Sequence, residues 1–135
     1  MDWDKSKKLA EARAFIDTTI LILHADTKIR SLEVLELQAR LNEHPKLKAL
    51  SQEEATSLIH GSVVDFEQQG IDARIDFIAA TLTTTEQRLE AIGMGVAMSI
   101  SDHDVDPREL SALKQMQAKF GLTDEQLAGA VERYL

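Results

Sequence analysis

A chain of 135 residues with 44% apolar and 28% charged side chains is long enough to bury one core and too apolar to remain a disordered tail. Its net charge of -8 excludes nucleic acid as a main partner, because phosphate binding needs clustered Lys and Arg, and instead favours cations or basic surfaces. The absence of cysteine excludes disulfides, thiolate nucleophiles and Cys-ligated zinc or iron-sulfur sites.

No apolar signal region opens the sequence, and no stretch reaches the ~20 apolar residues of a membrane span, so a single soluble, cytoplasmic domain over residues 1–135 is expected. Charge is uneven. Glu53, Glu54, Asp65, Glu67 and Asp72 occur with no Lys or Arg between Lys48 and Arg74, which by itself describes a solvated acidic face.

Helix punctuation recurs and no stretch alternates apolar and polar residues for long, so the fold class is all-α. A short helix is predicted from about Asp4, leading into a second, largely apolar one through Phe15, Ile16, Thr19, Ile20, Ile22 and Leu23. Beyond ADTKIRS, Val34, Leu35, Leu37 and Leu41 form a helical stripe that ends before Pro45. Ser51 with Glu54 is a capping box, and Leu58, Ile59, Val63 and Phe66 carry that helix toward Gly70. Ile71, Ile75, Ile78 and Leu82 mark the next helix.

TTTEQ offers Thr83 with Glu86, or Thr84 with Gln87, as the cap of a helix through Leu89, Ile92, Val96 and Ile100. Met94 and Met98 beside Gly93 and Gly95 read there as close helix packing. Asp106, Pro107 and Glu109 are cap, first and third positions of another helix. Gly121 suits a left-handed helix end closed by Leu122, and Thr123 with Gln126 opens a last helix out to Tyr134. Seven or eight helices in a compact bundle are expected.

The two halves resemble each other. HADTKIRSLEVLEL aligns with ISDHDVDPRELSAL, placing Asp26 on Asp102, Ile29 on Val105, Glu33 on Glu109 and Leu37 on Leu113 at one common offset of 76 residues. Two helix-loop-helix units, around residues 15–60 and 86–134 and related by a pseudo-twofold axis, would follow.

Each unit carries an Asp at the loop start and a Glu seven residues later, and the second adds Asp104 and Asp106 between them. Carboxylate oxygens on a short loop select a hard cation, Ca2+ or Mg2+, over zinc. The loop is not an EF-hand, since Pro107 stands where that loop needs Gly at position six, and Glu109 comes at eight instead of twelve. The competing reading takes Asp106 and Glu109 as a reciprocal helix cap worth ~1 kcal/mol. Arg30 stands where Asp106 does in the first unit, so that cap does not account for the Asp and Glu kept there. A shared acidic cluster of Asp26, Glu33, Asp102, Asp104, Asp106 and Glu109, partly neutralised by Lys28 and Arg30, would suit a metal or a basic partner.

His24, His44, His60 and His103 lack metal-ligand spacing, and no nucleophile, P-loop or H-E-x-x-H pattern occurs. Asp102 and Glu109 as an acid-base pair imply no substrate pocket, so an enzyme is not expected.

The ILHADTKIRSLE loop, the NEHPKLKALSQEEATSLIHGSVVDFE segment and AIGMGVAMSISDHDVDPRELSALKQMQAKFGLTDEQ, in that order, resemble the TerB family of tellurite-resistance proteins. The resemblance covers about Phe15 to Leu127. It implies a helical fold of two similar halves with an acidic divalent-cation cluster, matched here by Asp26, Glu33, Asp102, Asp106 and Glu109, with Asp104 as an additional ligand. The Gly that follows each loop Asp in the family is Thr27 and His103 here. If that position has positive φ, a β-branched Thr fits it poorly and His better.

The resemblance further implies a bacterial stress-response role beside a TerC-like membrane partner or another stress-response protein, with the chain peripheral to the inner membrane through that partner. Lacking thiols, the chain is a poor reductant of tellurite. The expectation is a non-enzymatic cation-binding relay. A metal-independent adaptor using its acidic face is the alternative.

Overall fold

The structure is a computed structural model in which residues 3–24, 39, 47, 50–99 and 107–133 are described. Among them are six helices and no strand: α1 (Trp3–His24), α2 (Gln52–Gln69), α3 (Ile71–Thr81), α4 (Thr85–Ser99), α5 (Pro107–Phe120) and α6 (Asp124–Glu132). Of the predicted helix through Val34 and Leu41 only Ala39, which is helical, is among the described residues, so the count of seven or eight is not reproduced among them.

One boundary differs from the sequence reading. The two N-terminal helices are a single 22-residue helix, α1. No Gly or Pro interrupts residues 3–24, so the shift from a charged to an apolar composition marks where the helix enters the core and not where it breaks. From Ala14 to Ile22 every side chain is buried, as expected of a helix that packs on α2, α3, α4 and α5.

The remaining core is supplied by one face of each surrounding helix. Ile59 of α2, Ile75 and Ile78 of α3, Ile92 and Val96 of α4, and Leu113, Met116 and Phe120 of α5 are buried against α1 or its neighbours. Leu127 anchors α6, which packs on α4 and α5. Burying one such aliphatic side chain contributes about 1.5–3 kcal/mol, so the apolar stripes hold the helices together.

Local signals set the helix ends. Ser51 and Glu54 exchange hydrogen bonds of 3.1 and 3.0 Å, and Thr123 and Gln126 exchange bonds of 3.0 and 2.9 Å, so both capping boxes are present. Of the alternatives at α4, Thr84 with Gln87 forms, at 3.1 and 3.3 Å. Gly121 at φ 68° ends α5, with the Leu122 N–H donating to the Gln117 carbonyl (3.0 Å) and the Gly121 N–H to that of Ala118 (3.4 Å). Gly70 at φ 85° is the single residue joining α2 to α3, a turn open to few other residues.

Arg88 braces the α3–α4 corner. Its guanidinium donates to the carbonyls of Leu82 (2.6 Å), Ala79 (2.9 Å) and Phe120 (3.0 Å) and lies over the Phe120 ring, 5.6 Å from its centroid. Carbonyls left over at the ends of α3 and α5 are thereby satisfied by one side chain.

Candidate functional site

Five predicted ligands, Asp26, Glu33, Asp102, Asp104 and Asp106, lie outside the described residues, as do Thr27 and His103. Glu109 is described. It is the third residue of α5 and half-buried, and α5 begins at Pro107 as its sequence predicts. Among the described residues no group of three or more His, Cys, Asp or Glu is placed to hold a metal ion. His60, exposed on α2, joins no such group.

The described residues do include the helix from which each acidic loop departs. The first loop follows His24 at the end of α1, and the second follows Ser99 at the end of α4. These two helices pack directly on each other. Gly95 is the reason they approach so closely: a Cβ there would stand 2.7 Å from Ile22 Cδ1 and 3.4 Å from Thr19 Cα. Buried Met94 adjoins it, which agrees with the packing reading of this Gly-Met segment.

Both contact points are close to the helix ends. With His24 five residues beyond Thr19 and Ser99 four beyond Gly95, the two C-termini are no more than about 20 Å apart whatever the crossing angle. Each end carries the negative pole of its helix dipole. No basic residue occupies the last turn of α4 to offset that potential. The described residues that precede the two acidic segments therefore lie within about 20 Å of each other, at helix ends whose dipoles favour positive charge.

What holds α1 in register is an ion cluster inside the bundle. Asp17, 1% exposed, accepts from Arg13 Nε (3.1 Å), from the Ser62 hydroxyl of α2 (2.5 Å) and from Arg74 Nη2 of α3 (2.7 Å). Arg13 also reaches Asp65 of α2 at 2.5 Å, and Arg74 Nη1 lies 3.9 Å from the same carboxylate and 3.2 Å from Gln69 Oε1. Two guanidinium groups face two carboxylates, so the cluster is neutral. Burial opposes the Arg13 charge, yet Asp17 and Asp65 together outweigh it and raise its pKa above the ordinary arginine value.

Arg74 is the most committed member. It is 5% exposed, its Nε has no hydrogen-bond partner among the described residues, and its guanidinium lies 4.5 Å from the centroid of the exposed Phe77 ring. Because Asp17 is two residues from Thr19, the cluster pins α1 to α2 and α3 beside the Gly95 crossing. It thereby helps to set where the first acidic loop starts.

Residues 12–132 match the family described as the tellurite resistance protein TerB. The chain belongs to the TerB family. No curated protein and no solved structure matches it.

The family match takes in both acidic loops, the α1–α4 crossing and all four charges of the buried cluster. The sequence of this TerB-family chain points to the acidic loops and not to the buried cluster. Its one local signal was Asp17, a carboxylate within the apolar run FIDTTILIL and four residues after Arg13. The neighbouring Thr18 and Thr19 satisfy their own hydroxyls on the carbonyls of Ala14 (2.8 Å) and Phe15 (3.3 Å), but a buried Asp has no such local option. It requires donors from elsewhere in the fold.

Proposed function

We propose that this TerB-family chain is a non-enzymatic cytoplasmic protein of tellurite resistance and stress response that binds a divalent cation, Ca2+ or Mg2+, and relays its loading to a protein partner. Asp26 and Glu33 of one loop and Asp102, Asp104, Asp106 and Glu109 of the other supply the ligands. The donor set fits the ion in kind, since it consists of carboxylate oxygens, and in sequence Asp26 and Asp102 follow closely on the ends of α1 and α4, whose dipoles favour positive charge. The cation would supply charge neutralisation and a crosslink between the loops.

One observation supports this reading: the Gly95 crossing keeps the C-terminal ends of α1 and α4, after which the two acidic segments follow in sequence, within about 20 Å of each other. A layout in two similar halves accords with it, since α1 and α4 end at His24 and Ser99, close to the offset of the internal repeat. The partner is an integral membrane protein of the TerC type or another stress-response protein, reached from the cytoplasmic side. No helix among the described residues is long and apolar enough to cross a membrane.

Thermal unfolding with and without Ca2+ or Mg2+ tests the proposal. An ion at 100 times its dissociation constant stabilises by ~2.7 kcal/mol. An increase of about 10 °C is expected for a chain of this size, and D102N/E109Q should abolish it. No increase at millimolar ion, or the same increase in that variant, refutes the site and leaves the alternative of a metal-independent adaptor. Partner capture that depends on the acidic loops but survives chelation is the result that alternative requires.

A further inference from the structure

A groove of about 610 Å³ runs between α4 and α6. Its floor is Leu89 and Ala130, both half-buried, with Gly129 beside them; Glu86, Glu90 and Glu125 stand around it. Glu90 is nine residues before Ser99, so the groove lies about 14 Å along α4 from the origin of the second loop.

Two features of the groove are not accounted for by folding. Glu86 and Glu90 are one turn apart on α4, an arrangement of like charges that destabilises a helix. Glu86 and Glu125 at least occupy first turns, where a carboxylate suits the helix dipole, but Glu90 does not. Among the described residues none of the three forms an ion pair, and Arg133, which also lines the groove, pairs with none of them.

Gly129 is the second feature. It lies inside α6 with a helical backbone, where glycine is less favourable than alanine, yet a Cβ there would meet nothing within 4 Å. Close packing among the described residues does not require it. Its effect is to leave the groove floor open to the approach of another molecule.

We propose that this groove docks a basic amphipathic segment of a protein partner. Apolar side chains of that segment rest on Leu89, Gly129 and Ala130, and its Lys or Arg heads meet Glu86, Glu90 and Glu125. Charge complementarity selects this occupant over a second copy of the chain, which carries a net charge of -8 and would be repelled. Aliphatic stems of Lys and Arg cover apolar floor while their heads reach carboxylates, which matches the mixed character of the groove.

The inference rests on the partner half of the function proposed above and is independent of its cation half, so the test is run in EDTA. The probe is a fluorescent amphipathic helical peptide of lysines and leucines, titrated with the full chain at physiological salt. Saturable binding is expected, weakened about tenfold or more by E86Q/E90Q/E125Q and no more than about twofold by E53Q/E67Q/D72N, which removes the same charge elsewhere. Gly129→Leu fills the floor without touching the core and should also weaken binding. Amide shifts on peptide addition should centre on Leu89, Gly129 and Ala130. No saturable binding, equal weakening by the two triple variants, or shifts centred on another face would overturn the proposal. A cation-induced thermal shift present or absent in the same protein reports on the loops alone.

Discussion

Asp17→Asn keeps the shape of the side chain at the centre of the buried cluster and removes its charge. Arg74 then loses its 2.7 Å partner and keeps only Gln69 at 3.2 Å and Asp65 at 3.9 Å, while remaining 5% exposed. The new amide adds donors where Arg13 and Arg74 already point donors. Arg13, 18% exposed and still bonded to Asp65, loses less. Leaving a buried charge without its partner costs about 3–5 kcal/mol. Unfolding entropy of about 2.1 cal/mol/K per residue amounts to ~0.28 kcal/mol/K over 135 residues, so Tm should fall by roughly 10–18 °C. Thermal and urea unfolding followed by circular dichroism measure this directly. The double variant D17N/R74M removes both charges and should be more stable than D17N. A loss below about 1 kcal/mol in D17N, or a double variant whose loss equals the sum of the singles, would refute a coupled buried pair.

Other consequences follow from the caps and corners. Arg88→Met strips donors from the carbonyls of Leu82, Ala79 and Phe120 and should destabilise by about 2–3 kcal/mol in urea unfolding, the scale of losing charged hydrogen bonds in a part-buried site. The two C-terminal glycines should respond with opposite signs. Gly121→Ala meets φ 68° and costs about 1–2 kcal/mol, whereas Gly129→Ala, in a helical conformation with open space around its Cβ, stabilises by about 0.5–1 kcal/mol. The Asp124 carboxyl lies below its ordinary pKa because Gln117 donates to it at 2.7 Å, with Lys114 assisting. A depressed carboxylate stabilises the fold above its unfolded pKa, and that contribution disappears as pH falls through the folded value, below about pH 4. Gln117→Ala should raise the Asp124 pKa toward the ordinary range in an NMR titration.

Helix ends were legible in the chain because a cap is a local event. Ser51, Thr84 and Thr123 each meet a partner three residues away, and Gly121 sets its own φ, so no distant residue is needed to specify them. Apolar stripes were legible for the same reason, as the faces bearing Ile75, Ile78 and Leu82 or Ile92 and Val96 show. The continuity of α1 was not legible, because a change of composition along a helix reports a change of surroundings, and those surroundings are other helices. The buried cluster was not legible at all. Asp17 meets Ser62 and Arg74 across 45 and 57 residues of sequence, and no short-range pattern distinguishes those partners from other Ser and Arg residues.

Composition and periodicity thus determined an all-helical chain with an acidic surface, and the ordered loop segments determined its place in the TerB family. Only the tertiary structure decided that α1 and α4 cross at Gly95, that a neutral four-charge cluster holds α1 in register, and that α4 and α6 leave an open acidic groove. The division has a physical cause. Backbone dihedrals, caps and amphipathic faces are set within a few residues, whereas helix crossings and buried ion pairs join residues that are distant in sequence and exist only once the helices have packed.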